Sequence, residues 1–130
     1  MGDLKRILHV DDEEDLRDVV TMTLETLGGY SVESCSSGPE ALQRVKSFAP
    51  DLILLDVMMP GMDGFTTLKL LRRNPETAGI PVVFMTAKIQ PGGDSEYTAA
   101  GALAVIAKPF KIQAFCDRIK DIWAAANTPS

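Results

Sequence analysis

Apolar positions along this chain follow two alternating spacings. Short runs rich in β-branched residues occupy positions 7–10, 30–35, 52–55, 82–85 and 103–107, several of them apolar at consecutive positions. Uninterrupted apolarity of that length is expected of strands buried on both faces of a parallel sheet. Between the runs lie stripes at helical spacing. Leu16, Val19, Val20, Leu24 and Leu27 form one, closed by Gly28 and Gly29; Ala41, Leu42, Val45 and Phe48 form a second; Phe65, Leu68 and Leu71 form a third. Ile112, Phe115, Cys116, Ile119, Ile122 and Trp123 follow the i, i+3, i+4, i+7 rule and predict a final helix ending near Ala126. A weaker helix is expected over 94–100. Five alternations of strand and helix predict an α/β domain around a central parallel sheet.

Length and charge narrow the reading. A chain of 130 residues suits one domain, since two cores of about 65 residues each would be marginal without staples. Thirteen basic against eighteen acidic side chains give a net charge of −5, and no basic stripe offers a grip on nucleic acid. The N-terminus lacks a secretory apolar core, and Arg6 breaks the myristoylation pattern. The longest apolar run, LILLDVMM, is split by Asp56 and falls far short of the ~18 residues of a membrane span. A soluble, cytoplasmic protein is expected. Cys35 and Cys116 show no metal-ligand or CxxC spacing and read as buried, inert thiols.

In an open α/β sheet, ligands bind beyond the carboxyl ends of the strands. Polar residues are concentrated there. The first apolar run ends in Asp11 and Asp12, the third in Asp56 and the fourth in Thr86, while the fifth leads into Lys108 and Pro109. Two carboxylates ~5 Å apart repel by about 3 kcal/mol at an effective dielectric of ~20. Three such pairs approach the whole stability of a domain, so one lysine offsets only part of the repulsion. Oxygen ligands without thiolate or imidazole suit Mg²⁺. Each residue also has a plainer explanation. Asp11 and Asp12 would cap the following helix, and Asp56 would open the turn before Pro60 and Gly61.

The blocks ILHVDDEEDLR, PDLILLDVMMPGMDG, PVVFMTAK and GALAVIAKPF together resemble the four signature blocks of the response-regulator receiver domain of two-component signalling. The likeness runs from about Lys5 to Trp123. It implies a flavodoxin-like five-stranded parallel sheet of order 2-1-3-4-5, with helices on both faces. A receiver over residues 1–126 is expected, and because the final helix leaves only a short tail at 127–130, no output domain is expected on this chain. By the same resemblance, Asp56 would accept a phosphoryl group from a histidine kinase or phosphotransfer protein. Asp12 would ligate Mg²⁺ directly, Asp11 mostly through water, and Met58 by its backbone carbonyl. Lys108 would pair with Asp56 and then with phosphoryl oxygens; Thr86 and the Ala87 amide would bind another oxygen. The Lys108–Pro109 bond would be cis. A monomer or weak dimer is expected, acting on a downstream protein or as a phosphate sink, with no catalysis beyond its own phosphorylation and dephosphorylation.

Several positions depart from the family pattern. Val105 stands where many receivers carry an aromatic switch residue. The signal is then expected to pass through residues 86–100, where Pro91, Gly92 and Gly93 delay the fourth helix and make it mobile. Met58 and Lys88 flank the phosphoryl site, and neither orients an attacking water, which predicts slow self-dephosphorylation. His9, the single histidine, is expected to be a hydrogen-bonded strand residue. Trp123 and Phe115 read as core, and Met58, Met59 and Met62 as loop packing. Competing functions are a degenerate receiver used as a scaffold and a Mg²⁺-dependent phosphohydrolase. Against the second, Met58 stands where a haloacid-dehalogenase-like enzyme has a second aspartate. A flavin site is disfavoured because DDEED would repel a flavin phosphate.

Overall fold

A computed structural model describes residues 2–87 and 95–127. The elements run β1 (Arg6–Val10), α1 (Glu14–Gly28), β2 (Ser31–Cys35), α2 (Gly38–Phe48), β3 (Leu52–Asp56), α3 (Gly64–Arg73), β4 (Val82–Thr86), α4 (Ser95–Ala99), β5 (Ala104–Ala107) and α5 (Ile112–Asn127). Five parallel strands form one sheet in the order β2-β1-β3-β4-β5. The alternation read from the sequence therefore stands, with ends displaced by a residue or two. β3 and β4 each reach one residue farther than their apolar runs and take in Asp56 and Thr86. The part of the switch expectation that concerns Lys88, Pro91, Gly92, Gly93 and Asp94 lies outside the described residues.

Every residue of β3 and β4 is buried, as a two-sided core requires. The strands alternate between two cores. Leu52 and Leu54 pack with Val20 and Leu24 of α1 and with Phe115, Cys116 and Ile119 of α5. Ile53 and Leu55 pack with Ala41 and Val45 of α2, Leu68 and Leu71 of α3, and Tyr97 of α4. Phe115 is core as expected, stacked on Phe110. Trp123 lies at the margin, its indole N–H donating to the Gly2 carbonyl at 3.1 Å. The chain leaves β1 for one flank of the sheet and returns to the other through β3. Neighbouring carboxyl ends there face a crevice.

Local chemistry sets the helix starts that border this crevice. Asp63 caps α3 by accepting from the Thr66 N–H at 2.8 Å, and Ser37 caps α2 by accepting from the Glu40 N–H at 3.2 Å. The cap of α1 falls at Glu13, whose side chain makes no capping bond. Asp11 and Asp12 are therefore not the N-cap that the plainer reading proposed.

Candidate functional site

Asp11 follows β1, Asp56 ends β3, Thr86 ends β4, and Lys108 follows β5. Pairing of β1 with both β2 and β3 brings Asp11, Asp12 and Asp56 together, each offering a carboxylate oxygen within 4.8 Å of the others. Asp11 and Asp56 are buried, whereas Asp12 is exposed. The Lys108 ammonium lies 2.7 Å from Asp11 Oδ2 and 3.3 Å from Asp56 Oδ1. The expected Asp56 partner is thus present, but Asp11 is the closer one. Asp11 is held in turn: its Oδ1 accepts from the Glu13 N–H at 2.9 Å, and its carbonyl accepts from Arg17 at 2.7 Å. The Lys108–Pro109 bond is cis, as expected.

Burial dominates the electrostatics. It pushes the Asp56 carboxyl from 3.8 to about 6, and the Asp11 charge adds to the rise; Lys108 and the Met58 N–H, 3.3 Å from Asp56 Oδ1, pull the other way. For Lys108, burial favours the neutral amine, yet the two carboxylates together overcome it and the pKa is raised. Three carboxylates against one ammonium leave an excess of about two negative charges. A divalent cation balances that excess, and an all-oxygen donor set matches Mg²⁺. The residues fit such an ion.

Thr86 is buried and Ala87 is exposed just beyond it, both on the rim reached from β4. Met58 is 60% exposed, so its side chain does not pack the loop as expected; Met59, at 7%, does. His9 also departs from expectation. It is fully buried, neither ring nitrogen has a hydrogen-bond partner, and Nε2 lies 3.9 Å from Asp11 Oδ2. Burial lowers its pKa to about 4, against the opposing pull of Asp11. Cys35 and Cys116 are buried with raised pKa values, consistent with inert thiols.

Sequence reasoning missed Gly64. A Cβ there would lie 2.5 Å from the Asp56 carbonyl oxygen and 2.9 Å from Val57 Cα, so only glycine lets α3 start directly against the end of β3. The Asp-Gly pair at 63–64 was its only signal, and that pair reads equally as a turn.

The model of the response regulator receiver domain matches residues 7–120. The chain belongs to this family. Among curated relatives, this receiver is 36% identical over 117 residues to the DNA-binding dual master transcriptional regulator RpaA of Synechocystis, covering 90% of this chain and 48% of that protein. It is 43% identical over 104 residues to the response regulator PleD of Caulobacter vibrioides, covering 80% of this chain and 23% of that one. The chain thus spans half or less of the length of these relatives. Among solved structures, the chemotaxis response regulator CheY4 of Vibrio cholerae superposes with a TM-score of 0.83 at 31% identity, covering 92% of this chain and 99% of that one. The receiver fold and its 2-1-3-4-5 order are therefore those the sequence blocks implied. No helix among the described residues is long and apolar enough to cross a membrane.

Proposed function

We propose that this receiver serves a cytoplasmic response regulator and that its phosphoacceptor is Asp56. The observation that carries the reading is the convergence of Asp11, Asp12, Asp56 and Lys108 from three strand ends. An Asp56 carboxylate oxygen attacks the phosphorus of a phosphohistidine on a sensor kinase or phosphotransfer protein. The new O–P bond forms as the P–N bond breaks, and the imidazole departs. Asp11, Asp12 and Asp56, with the Met58 carbonyl, would hold Mg²⁺, which when bound neutralises carboxylate and phosphoryl oxygens together.

The chain's own groups do the positioning. Lys108 already spans Asp11 and Asp56, so its ammonium needs little movement to meet an incoming phosphoryl oxygen. Thr86 and the Ala87 amide, at the end of β4 between β3 and β5, would supply the neutral donors. Phosphoryl transfer through a loose transition state requires this placement and charge balance more than covalent assistance. The product is an acyl phosphate that alters a protein-binding surface or stores the group as a sink. We assign no other catalysis to the chain, and no nucleic-acid contact of its own; in solution it is a monomer or weak dimer.

The test is incubation with acetyl phosphate and Mg²⁺, followed by intact-mass measurement. A gain of one phosphoryl group that is lost in Asp56→Ala and in EDTA supports the assignment. An unlabelled chain would make it a degenerate scaffold. Sustained hydrolysis of small phosphomonoesters would make it a phosphohydrolase.

A further inference from the structure

On the face remote from α1 and α5, a groove of about 480 Å³ runs between α3 and the end of α4. Among the described residues its lining is Phe65, Thr66, Lys69, Arg72, Arg73 and Ala100. Phe65, Lys69, Arg72 and Arg73 fall at i, i+4, i+7 and i+8 and so share one stripe of α3. That helix, GFTTLKLLRR, contains no acidic residue. None of its three cations has a carboxylate within ion-pair distance among the described residues, although the chain as a whole carries a charge of −5. Arg72 is spent on neutral groups, donating to the Ile80 carbonyl at 2.8 Å and the Gly101 carbonyl at 3.2 Å. Its charge stays in the groove while its fork ties both walls together. Lys69 and Arg73 are exposed.

The floor is preorganised. Half-buried Phe65 stacks on Tyr97 with ring centroids 5.6 Å apart and planes at 9°, and both rings meet buried Phe84, at 5.1 and 5.7 Å. Phe65 alone thus faces the groove, held rigid by the buried rings of Tyr97 and Phe84 behind it, below three cations without a carboxylate partner among the described residues.

We propose that this groove docks an acidic segment of a partner protein, with one apolar side chain seated against Phe65 and carboxylates placed at Lys69 and Arg73. The volume suits a single aromatic or long aliphatic anchor and its neighbours. Charge complementarity selects an acidic chain over a neutral one. A nucleic acid fits less well, because three cations on one helix turn offer no continuous track for a phosphate backbone on an acidic protein. Docking here does not depend on phosphoryl acceptance.

The experiment is a titration of the isotope-labelled full chain, without phosphodonor, with a blocked hexapeptide of glutamates around a central phenylalanine, followed by amide shifts. Shifts centred on Phe65, Lys69, Arg73 and Ala100 are expected. A Lys69→Glu/Arg73→Glu double variant should weaken binding by about tenfold or more, while Lys46→Glu, on α2 and outside the groove lining, leaves it unchanged. Both substituted side chains are exposed, and an unchanged thermal midpoint confirms that the variant folds. Replacing the peptide's phenylalanine by alanine should also weaken binding. Shifts spread over Arg44, Lys111 and Arg118, equal affinity of the double variant, or tighter binding of an oligothymidylate at the same residues would each overturn the proposal.

Discussion

Asp56→Asn is expected to stabilise the metal-free chain. Asp56 is 3% exposed, and its carboxyl is held near 6 against an ordinary 3.8. Between those values the folded chain keeps a proton that the unfolded chain has lost. Stability therefore falls as pH rises through this window and stays lowered above it. A displacement of that size corresponds to about 3 kcal/mol of penalty on the ionised form. Asparagine keeps the volume and removes the charge, and Lys108 retains its closer partner, Asp11. The shift already nets out the attraction to Lys108; allowing for the cost of burying the amide, the gain should be about 1–3 kcal/mol at about pH 7.5 and should vanish near pH 4. Urea unfolding in EDTA at both pH values measures it. Added Mg²⁺ should then stabilise the parent far more than the variant, because binding to the native state alone raises stability by mass action. A variant less stable than the parent at about pH 7.5, or a difference independent of pH, would refute the electrostatic account.

Three further outcomes follow from neighbouring residues. His9, with a folded pKa near 4 against 6.5, has the opposite sign: its contribution is present above about pH 6.5 and is lost as pH falls towards 4, so it opposes Asp56 over much of the same range. His9→Leu should flatten the acid limb and raise stability at about pH 5 by roughly 1–3 kcal/mol, read by the same urea titrations; an unchanged acid limb would count against it. Gly64→Ala should destabilise by about 1–3 kcal/mol and reduce acetyl phosphate labelling, because the nearest atoms are backbone and cannot rotate away; normal stability with normal labelling contradicts this. Met58→Asn should shorten the acyl phosphate lifetime at little cost in stability, since the side chain is 60% exposed and an amide can orient water where a thioether cannot. Timing phosphoryl loss in both proteins decides, and an equal or slower loss in the variant defeats it.

Much of the site was legible in sequence because each of its residues immediately follows or ends an apolar run. Strand burial is a local, one-dimensional signal, and a parallel sheet delivers all carboxyl ends to one edge. Asp11, Asp12, Asp56, Thr86 and Lys108 could therefore be assigned to that edge from the sequence itself, and the resemblance supplied the strand order that makes them neighbours. The fourth helix was weakly patterned; among the described residues it covers Ser95–Ala99 and stops one residue short of the expected Ala100, while Asp94 lies outside them.

What tertiary structure alone decided depends on distances between segments far apart in the chain. The Lys108 ammonium lies closer to Asp11 than to Asp56, and Asp11 is also held by the Glu13 N–H on its carboxylate and by Arg17 on its backbone carbonyl. His9 is fully buried with neither ring nitrogen hydrogen-bonded and Asp11 Oδ2 3.9 Å from Nε2, a placement invisible in the alternation of its strand. The Phe65–Tyr97–Phe84 floor joins rings from three elements, and the glycine at 64 matters only because β3 ends beneath it. Periodicity along a chain determines which residues turn inward; only close packing in three dimensions determines which of them meet.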